Sequence, residues 1–328
     1  MSDQGGGPAP VAPSCARIAT APGDFNPCGP TNGIAYSPDG KLLAIATASR
    51  PPNVHVYRVS DGSLVHALDG IGDQAYAVAF SPDNSVLAVA GQRPDSANGQ
   101  LDIVKLYDAR SGSQLRALPA SCGFYADSVA FSLDGTLIAT AGFKGPIEIW
   151  RVSDGTQVTS IAYPTSVHNV HFAPKGSEII VGGVDQRATV WAVPSGKQIL
   201  ELSPTTNEQS DATFAPDGAQ IATTGPNNDI QIWDTASSKL LQRMSAHTAY
   251  VAHVLWLDQD HIVSNDWFGT IKWMSRQSSG DFVVSASWST GTQSLGIAIA
   301  PDGKMLAAGG GDGSNSGFKF FAIDPKQL

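Results

Sequence analysis

A chain of 328 residues that is 42% hydrophobic has ample material for a continuous core, yet only 15% of it is charged, against roughly a quarter in ordinary globular proteins. Its net charge of −9 and isoelectric point near 5.1 exclude the basic footprint that nucleic acid or an anionic membrane surface would need. No apolar run approaches the roughly 20 residues that span a bilayer.

Residues 1–14 are rich in Gly, Pro and Ala and are expected to be a flexible segment. They carry neither a basic n-region nor an apolar h-region, so a cytoplasmic location is expected; export would require a leader ahead of this sequence. A strand-like stretch, CARIATA, follows from Cys15. Then one pattern recurs seven times: an apolar stretch, a tight turn and a second apolar stretch. The copies are AYSPDGKLLAIA from Ala35, AFSPDNSVLAVA from Ala79, AFSLDGTLIATA from Ala130, HFAPKGSEIIVG from His171, TFAPDGAQIATT from Thr213, LWLDQDHIVS from Leu255 and AIAPDGKMLAAG from Ala298. They lie 41 to 51 residues apart, a period that marks a repeat architecture.

Each repeat continues through a polar loop into an alternating run that carries an aromatic residue. Examples are VHVYRV from Val54, IEIWRV from Ile147, IQIWDT from Ile230 and FKFFAI from Phe318. A short turn and a fourth alternating run, such as LVHALDG from Leu64, complete the unit. Period-two alternation bounded by turn residues predicts four antiparallel strands, a to d, in each repeat. Seven such units predict an all-β, seven-bladed β-propeller as a single domain over residues 15–328, because ring closure removes the sheet edges that a flat array would expose. The seventh unit ends after its third strand, so the segment from Cys15 to Ala21 is predicted to supply its outer strand.

The strand–SPDG–strand–loop–aromatic pattern resembles the WD-repeat β-propeller family over nearly the whole chain. Trp150, Trp191 and Trp233 occupy the family's strand-c tryptophan position, and Trp233-Asp234 is a literal WD pair. Tyr57, Tyr107, Met274 and Phe321 take that position in the other blades, and Ala246-His247 is the nearest match to the family's GH pair. The resemblance implies this fold and a role in binding partners on the face around the channel mouth. It does not imply a substrate.

Signatures of chemistry are scarce. GGGDG from Gly309 lies between strands and lacks the helix that a phosphate cradle needs. DGSNSG from Asp312 would place Ile323 where a calcium loop needs Glu. His168 and His171 stand three apart on a strand, so their side chains face opposite ways and are not expected to share a metal. His247, with His253 and Asp266, reads either as a His/carboxylate cluster or as a family histidine bonded to a turn carboxylate. The three cysteines (Cys15, Cys28 and Cys122) share no metal-ligand spacing and are expected as free thiols. No metal and no other cofactor is expected.

Propeller geometry puts the SPDG and c–d turns on one rim and the b–c and d–a loops on the other, around the channel mouth. The mouth rim is the expected binding face. Arg50, Arg93, Lys144 and Arg187 place a cation in the b–c loops of blades one to four, which suits a partner that is a protein or peptide, one with acidic groups in particular. Asp266 and Trp267 sit in the blade-six loop. Tyr76 and Tyr125, with Phe124, Phe143 and Tyr250, supply aromatic anchors nearby. The blade-two loop, from Gln92 to Asp102, is the longest insertion.

Two readings follow. In the first, the chain is a non-enzymatic, monomeric interaction scaffold that binds neither nucleic acid nor membrane. In the second, Asp127, His168, Asp211 and His253 form a polar ring at the channel mouth that serves a small-molecule hydrolase resembling lactonase-like propellers. Polar side chains that hold channel water explain the same ring.

Overall fold

The computed structural model describes residues 29–49, 51–69, 71–72, 74–92, 103–121, 125–202, 211–311 and 318–323. Seven antiparallel sheets form the ring, six with four described strands and one with three, each in sequential order. One short 3-10 turn, Pro226–Asn228, interrupts the β-structure. The outer strand expected from the segment Cys15–Ala21, the flexible stretch 1–14 and all three cysteines lie outside the described residues, as do Arg50, Arg93, Phe124 and most of the long blade-two loop.

The innermost strands (a) are Thr31–Tyr36, Ala75–Phe80, Ala126–Phe131, Val167–Phe172, Ala212–Phe214, Val251–Trp256 and Ser294–Ile299. Every blade sheet is covered by neighbours on both faces, so strand b reads as an unbroken apolar run: Val86–Gly91 is buried at all six positions. Strand d is the outer edge and returns to alternation, as the mixed exposure of Leu64–Leu68 shows. The ring closes by apolar packing, since Leu43, Ile45 and Tyr57 of blade one share a core with Ala298, Ala307 and Phe318 of blade seven.

The turn motif has a local cause. The Ser37 hydroxyl donates to Asp39 Oδ1 (2.8 Å) and accepts from the Leu42 amide (2.9 Å), while Gly40 adopts a φ of 70°. The same bonds recur around Ser81–Asp83 and Ser132–Asp134. Blade six replaces the motif with Asp258, which accepts from the Asp260 amide and from His261 Nδ1, each at 2.8 Å.

Strand-c aromatics follow what strand b offers. Trp150 and Trp233 donate to Thr140 and Thr223, at 3.2 and 3.0 Å. Blade four has Val181 at the matching position, and Trp191 turns instead to Thr189 at 2.8 Å. In blade six the matching Ser264 is free of an indole because strand c carries Met274 opposite Ile262. His247 Nε2 lies 2.7 Å from that hydroxyl, and His247 Nδ1 lies 3.2 Å from Asp266 Oδ2.

Candidate functional site

Strand a is the innermost strand of each blade, so its free edge faces the channel and its unpaired amides need acceptors. Neighbouring blades supply them. Ser128 Oγ accepts from the Val170 amide at 3.1 Å, and Asp211 Oδ2 accepts from the Val254 amide at 3.0 Å. Asn32 Nδ2 donates to the Ala75 carbonyl at 2.9 Å. Beside Gly33 there is no room for a side chain, because an added Cβ would lie 2.6 Å from the Tyr76 carbonyl.

Asp127, His168, Asp211 and His253 all face this channel, but at two levels. Asp127 and His168 are the second residues of their strands and stand at the mouth, with His168 Nδ1 2.9 Å from Asp127 Oδ2. Asp211 and His253 lie one residue deeper. The expected single ring is therefore two clusters. In the deeper one Asp211 joins two histidines: His171 Nε2 is 3.4 Å from Oδ1 and His253 Nδ1 is 3.5 Å from Oδ2. His253 Nε2 also lies 2.8 Å from the Leu295 carbonyl. The opposite-face reading of His168 and His171 is visible here, since one meets blade three and the other blade five.

Burial alone would raise the Asp211 carboxyl, but the bonds from His171 and His253 outweigh it and hold the group well below the usual carboxylate range. Burial would lower His253, yet the Asp211 carboxylate and the Leu295 carbonyl hold its pKa above normal. With acceptors on both ring nitrogens, the imidazolium is the form that fits. Asp127 moves the other way: burial raises its carboxyl and His168 only partly offsets this.

Above these clusters a 290 Å3 depression is lined by Tyr76, Tyr125, Asp127, His168, His253 and Trp267, together with Asn32, Asn169, Ala252 and Leu295. The rings of Tyr76 and Tyr125 lie 5.1 Å apart, and Tyr125 continues to Phe143 at the same spacing. Lys144 Nζ caps the row 5.2 Å above the Phe143 ring. Burial, then Asp127 and Tyr76, push the Tyr125 phenol up to about 12, so it remains a hydrogen-bond donor at neutral pH. Tyr76 shifts the same way, by burial and then Asp127.

The rim residues divide. Trp267 lines the depression, and beside it Phe268 is 68% exposed at the tip of the blade-six loop. Sequence reasoning missed Phe268, although an apolar residue at a loop tip was the available signal. Asp266 is only 1% exposed, and its oxygens serve His247 and the Thr270 amide, so it is withdrawn from any contact surface. Arg187 Nη1 pairs with Glu201 on the outer strand at 3.4 Å, directed away from the depression. Neither Lys144 nor Arg187 lines the depression, so among the described residues its wall is aromatic and polar where the sequence suggested cations. Also among the described residues, no group of three or more His, Cys, Asp or Glu side chains is placed to share a metal.

No family model matches the chain. It is 28% identical over 157 residues to an uncharacterised WD repeat-containing protein of Synechocystis sp., covering 47% of this chain and 41% of the relative. It is 25% identical over 187 residues to periodic tryptophan protein 2 of Saccharomyces cerevisiae, covering 50% and 19%. It is 22% identical over 195 residues to actin-interacting protein 1 of Drosophila melanogaster, covering 57% and 30%. The chain thus spans less than half the length of each of these relatives. The sevenfold repeat and the closed ring of antiparallel blades make the chain a seven-bladed β-propeller, similar to WD-repeat proteins over about half of its length.

Proposed function

We propose that the chain is a non-enzymatic interaction scaffold that holds a protein or peptide partner over the channel mouth. The observation that carries this reading is the aromatic wall. Tyr76, Tyr125 and Phe143 form a row on one side of the depression, and Trp267 with exposed Phe268 stands in the blade-six loop. Half-buried Tyr and Trp present large rigid surfaces with a polar tip, the composition of binding anchors. Lys144, over the end of the aromatic row, would meet acidic groups of the partner.

Kinship with WD-repeat proteins supports the scaffold reading in general terms. The His/Asp clusters fit it as well, because their polar atoms bond across blades and hold the inner strands together. The test is a partner captured by the intact chain and then measured as a purified pair. Tyr125→Ala combined with Trp267→Ala should weaken that binding at least about tenfold, in line with anchor residues elsewhere. Charge reversal at Arg93 and Lys144 should weaken it if the partner is acidic. Binding unchanged by the aromatic pair refutes the mouth assignment.

A further inference from the structure

A second cavity, of 590 Å3, opens on the opposite rim between blades one and two. Its floor is apolar: Leu42, Val59 and Val65 from blade one meet Ala109 from blade two. Three cations stand around it, Lys41 and Arg58 from blade one and Arg110 from blade two, all exposed. Of the acidic residues only Asp39 lines it. Lys41 pairs with Asp39 at 3.0 Å, and Arg58 pairs with Asp61, just outside the lining, at 3.3 Å. The lining thus carries three cations against one carboxylate on a protein of net charge −9, and two of the cations are in exposed ion pairs that an incoming carboxylate would share.

The charge pattern belongs to this junction. The residues matching Lys41, Arg58 and Arg110 are Ser85, Asp108 and Ser153 between blades two and three, and Thr136, Arg151 and Pro194 between blades three and four. Between blades four and five they are Ser177, Ala192 and Ala236. The opening is local as well. Between blades two and three Arg116 spans the junction, donating to the carbonyls of Ser153 and Asp154. The equivalent residue at the first junction is the shorter His66, whose Nε2 reaches only the Arg110 carbonyl, at 3.1 Å.

The walls are held apart at a set distance. Asn84 stands where most copies of the turn carry Gly, and its side-chain oxygen accepts from the Asp39 amide at 2.9 Å. That bond ties the inner end of the groove, and His66 ties the outer end. The groove is therefore formed before any ligand arrives, which lowers the ordering cost of binding.

We infer that this groove is a second docking site, separate from the mouth, for an extended segment of a partner protein that carries a bulky apolar side chain flanked by Asp or Glu. The apolar floor takes the side chain, and Arg58 and Arg110, from opposite walls, take the carboxylates.

A display library of random hexapeptides panned against the intact chain tests this, with excess Arg58→Glu/Arg110→Glu protein as soluble competitor to remove peptides that bind elsewhere. A thermal melt establishes that the competitor is folded; if it is not, Arg110→Gln alone replaces it, since that side chain is exposed. The expected result is enrichment of peptides with Leu, Ile or Phe beside Asp or Glu. A synthetic copy should lose at least about tenfold in affinity, by fluorescence anisotropy, towards the double variant and keep its affinity for Trp267→Ala. No enrichment, enrichment of neutral or basic peptides, or equal loss with Trp267→Ala overturns the proposal. So does a concentration-dependent dimer that the double variant abolishes, because the groove would then belong to a second copy of this chain.

Discussion

Asp211 is the residue on which the inner ring depends most, and replacing it tests the account of the channel directly. Its carboxylate accepts from the Ala212 amide (2.8 Å) and the Val254 amide (3.0 Å) and lies between His171 and His253. Asp211→Ala would leave two buried amides without acceptors and His253 without its counter-charge. Removing one partner of a buried pair costs about 3–5 kcal/mol. The His253 side chain keeps 26% of its surface open to the channel, where water tempers the loss, so the lower end, about 3 kcal/mol, is expected. With an unfolding entropy of about 2 cal/mol/K per residue, a chain of 328 residues should lose about 4 °C in melting temperature. Asp211→Asn retains an acceptor oxygen and should lose roughly half as much.

The pH dependence of that difference is the sharper test. His253 has a raised folded pKa, so its contribution is complete below its unfolded value of about 6.5 and fades as pH rises through the folded one. Asp211 is depressed, so its contribution is present above about 4 and fades as pH falls through the folded value. The gap between wild type and Asp211→Ala, followed by calorimetry, should be widest between about pH 4 and 6.5 and narrow on either side. A melting temperature within about 1 °C of wild type at pH 6, or a gap undiminished at pH 9, would refute the reasoning.

Three further outcomes can be checked with the same melts. His247 has a side chain with no exposure and a partner on each ring nitrogen, so His247→Ala should cost about 3 kcal/mol. Burial lowers its pKa despite Asp266, so that cost should shrink as pH falls below about 6.5, opposite to the alkaline loss at His253. An added Cβ at Gly142 would strike the Tyr125 carbonyl, so Gly142→Ala should cost about 1–3 kcal/mol and also weaken partner binding, because Tyr125 moves with its backbone. Deleting residues 1–22 should lower the melting temperature sharply if they close blade seven, and an unchanged melt would remove them from the ring.

The fold was legible because its physical cause repeats. A sheet covered on both faces must be apolar along strand b, and the tight turn between two apolar runs recurs at a near-constant offset even where Ser, Asp or Gly is replaced, so counting from the turn finds every blade. The same count resolves the channel. Six residues before Ala173 is Val167, the first of its strand, but six before Ala215 is Gln209, which aligns Asp211 with Ser128 and His253, not with Asp127. At two of the aligned positions, Ser128 and Asp211, a side-chain oxygen takes the amide of the next blade. Function-bearing contacts were harder to read, since a strand pattern gives a residue's position and not the partner its side chain takes. Arg187 finds Glu201 on an outer strand, and Asp266 is consumed by a histidine 19 residues earlier.

The turn copies show how a fault in a repeat becomes informative. Where Gly ends the turn, a side chain there would at most touch the neighbouring blade's turn, as a Cβ at Gly135 would meet Pro82 and one at Gly40 Pro301. Asn84 keeps the left-handed backbone, with a φ of 63°, but adds an acceptor that reaches across the junction. A change to Gly there would keep the turn and lose the strut, so Asn84→Gly separates the two roles. It should cost only a few tenths of a kcal/mol in stability, the size of a local backbone effect, while weakening a peptide selected on the blade one–two groove. Equal affinity for that peptide would mean that the groove does not depend on the bond between the turns.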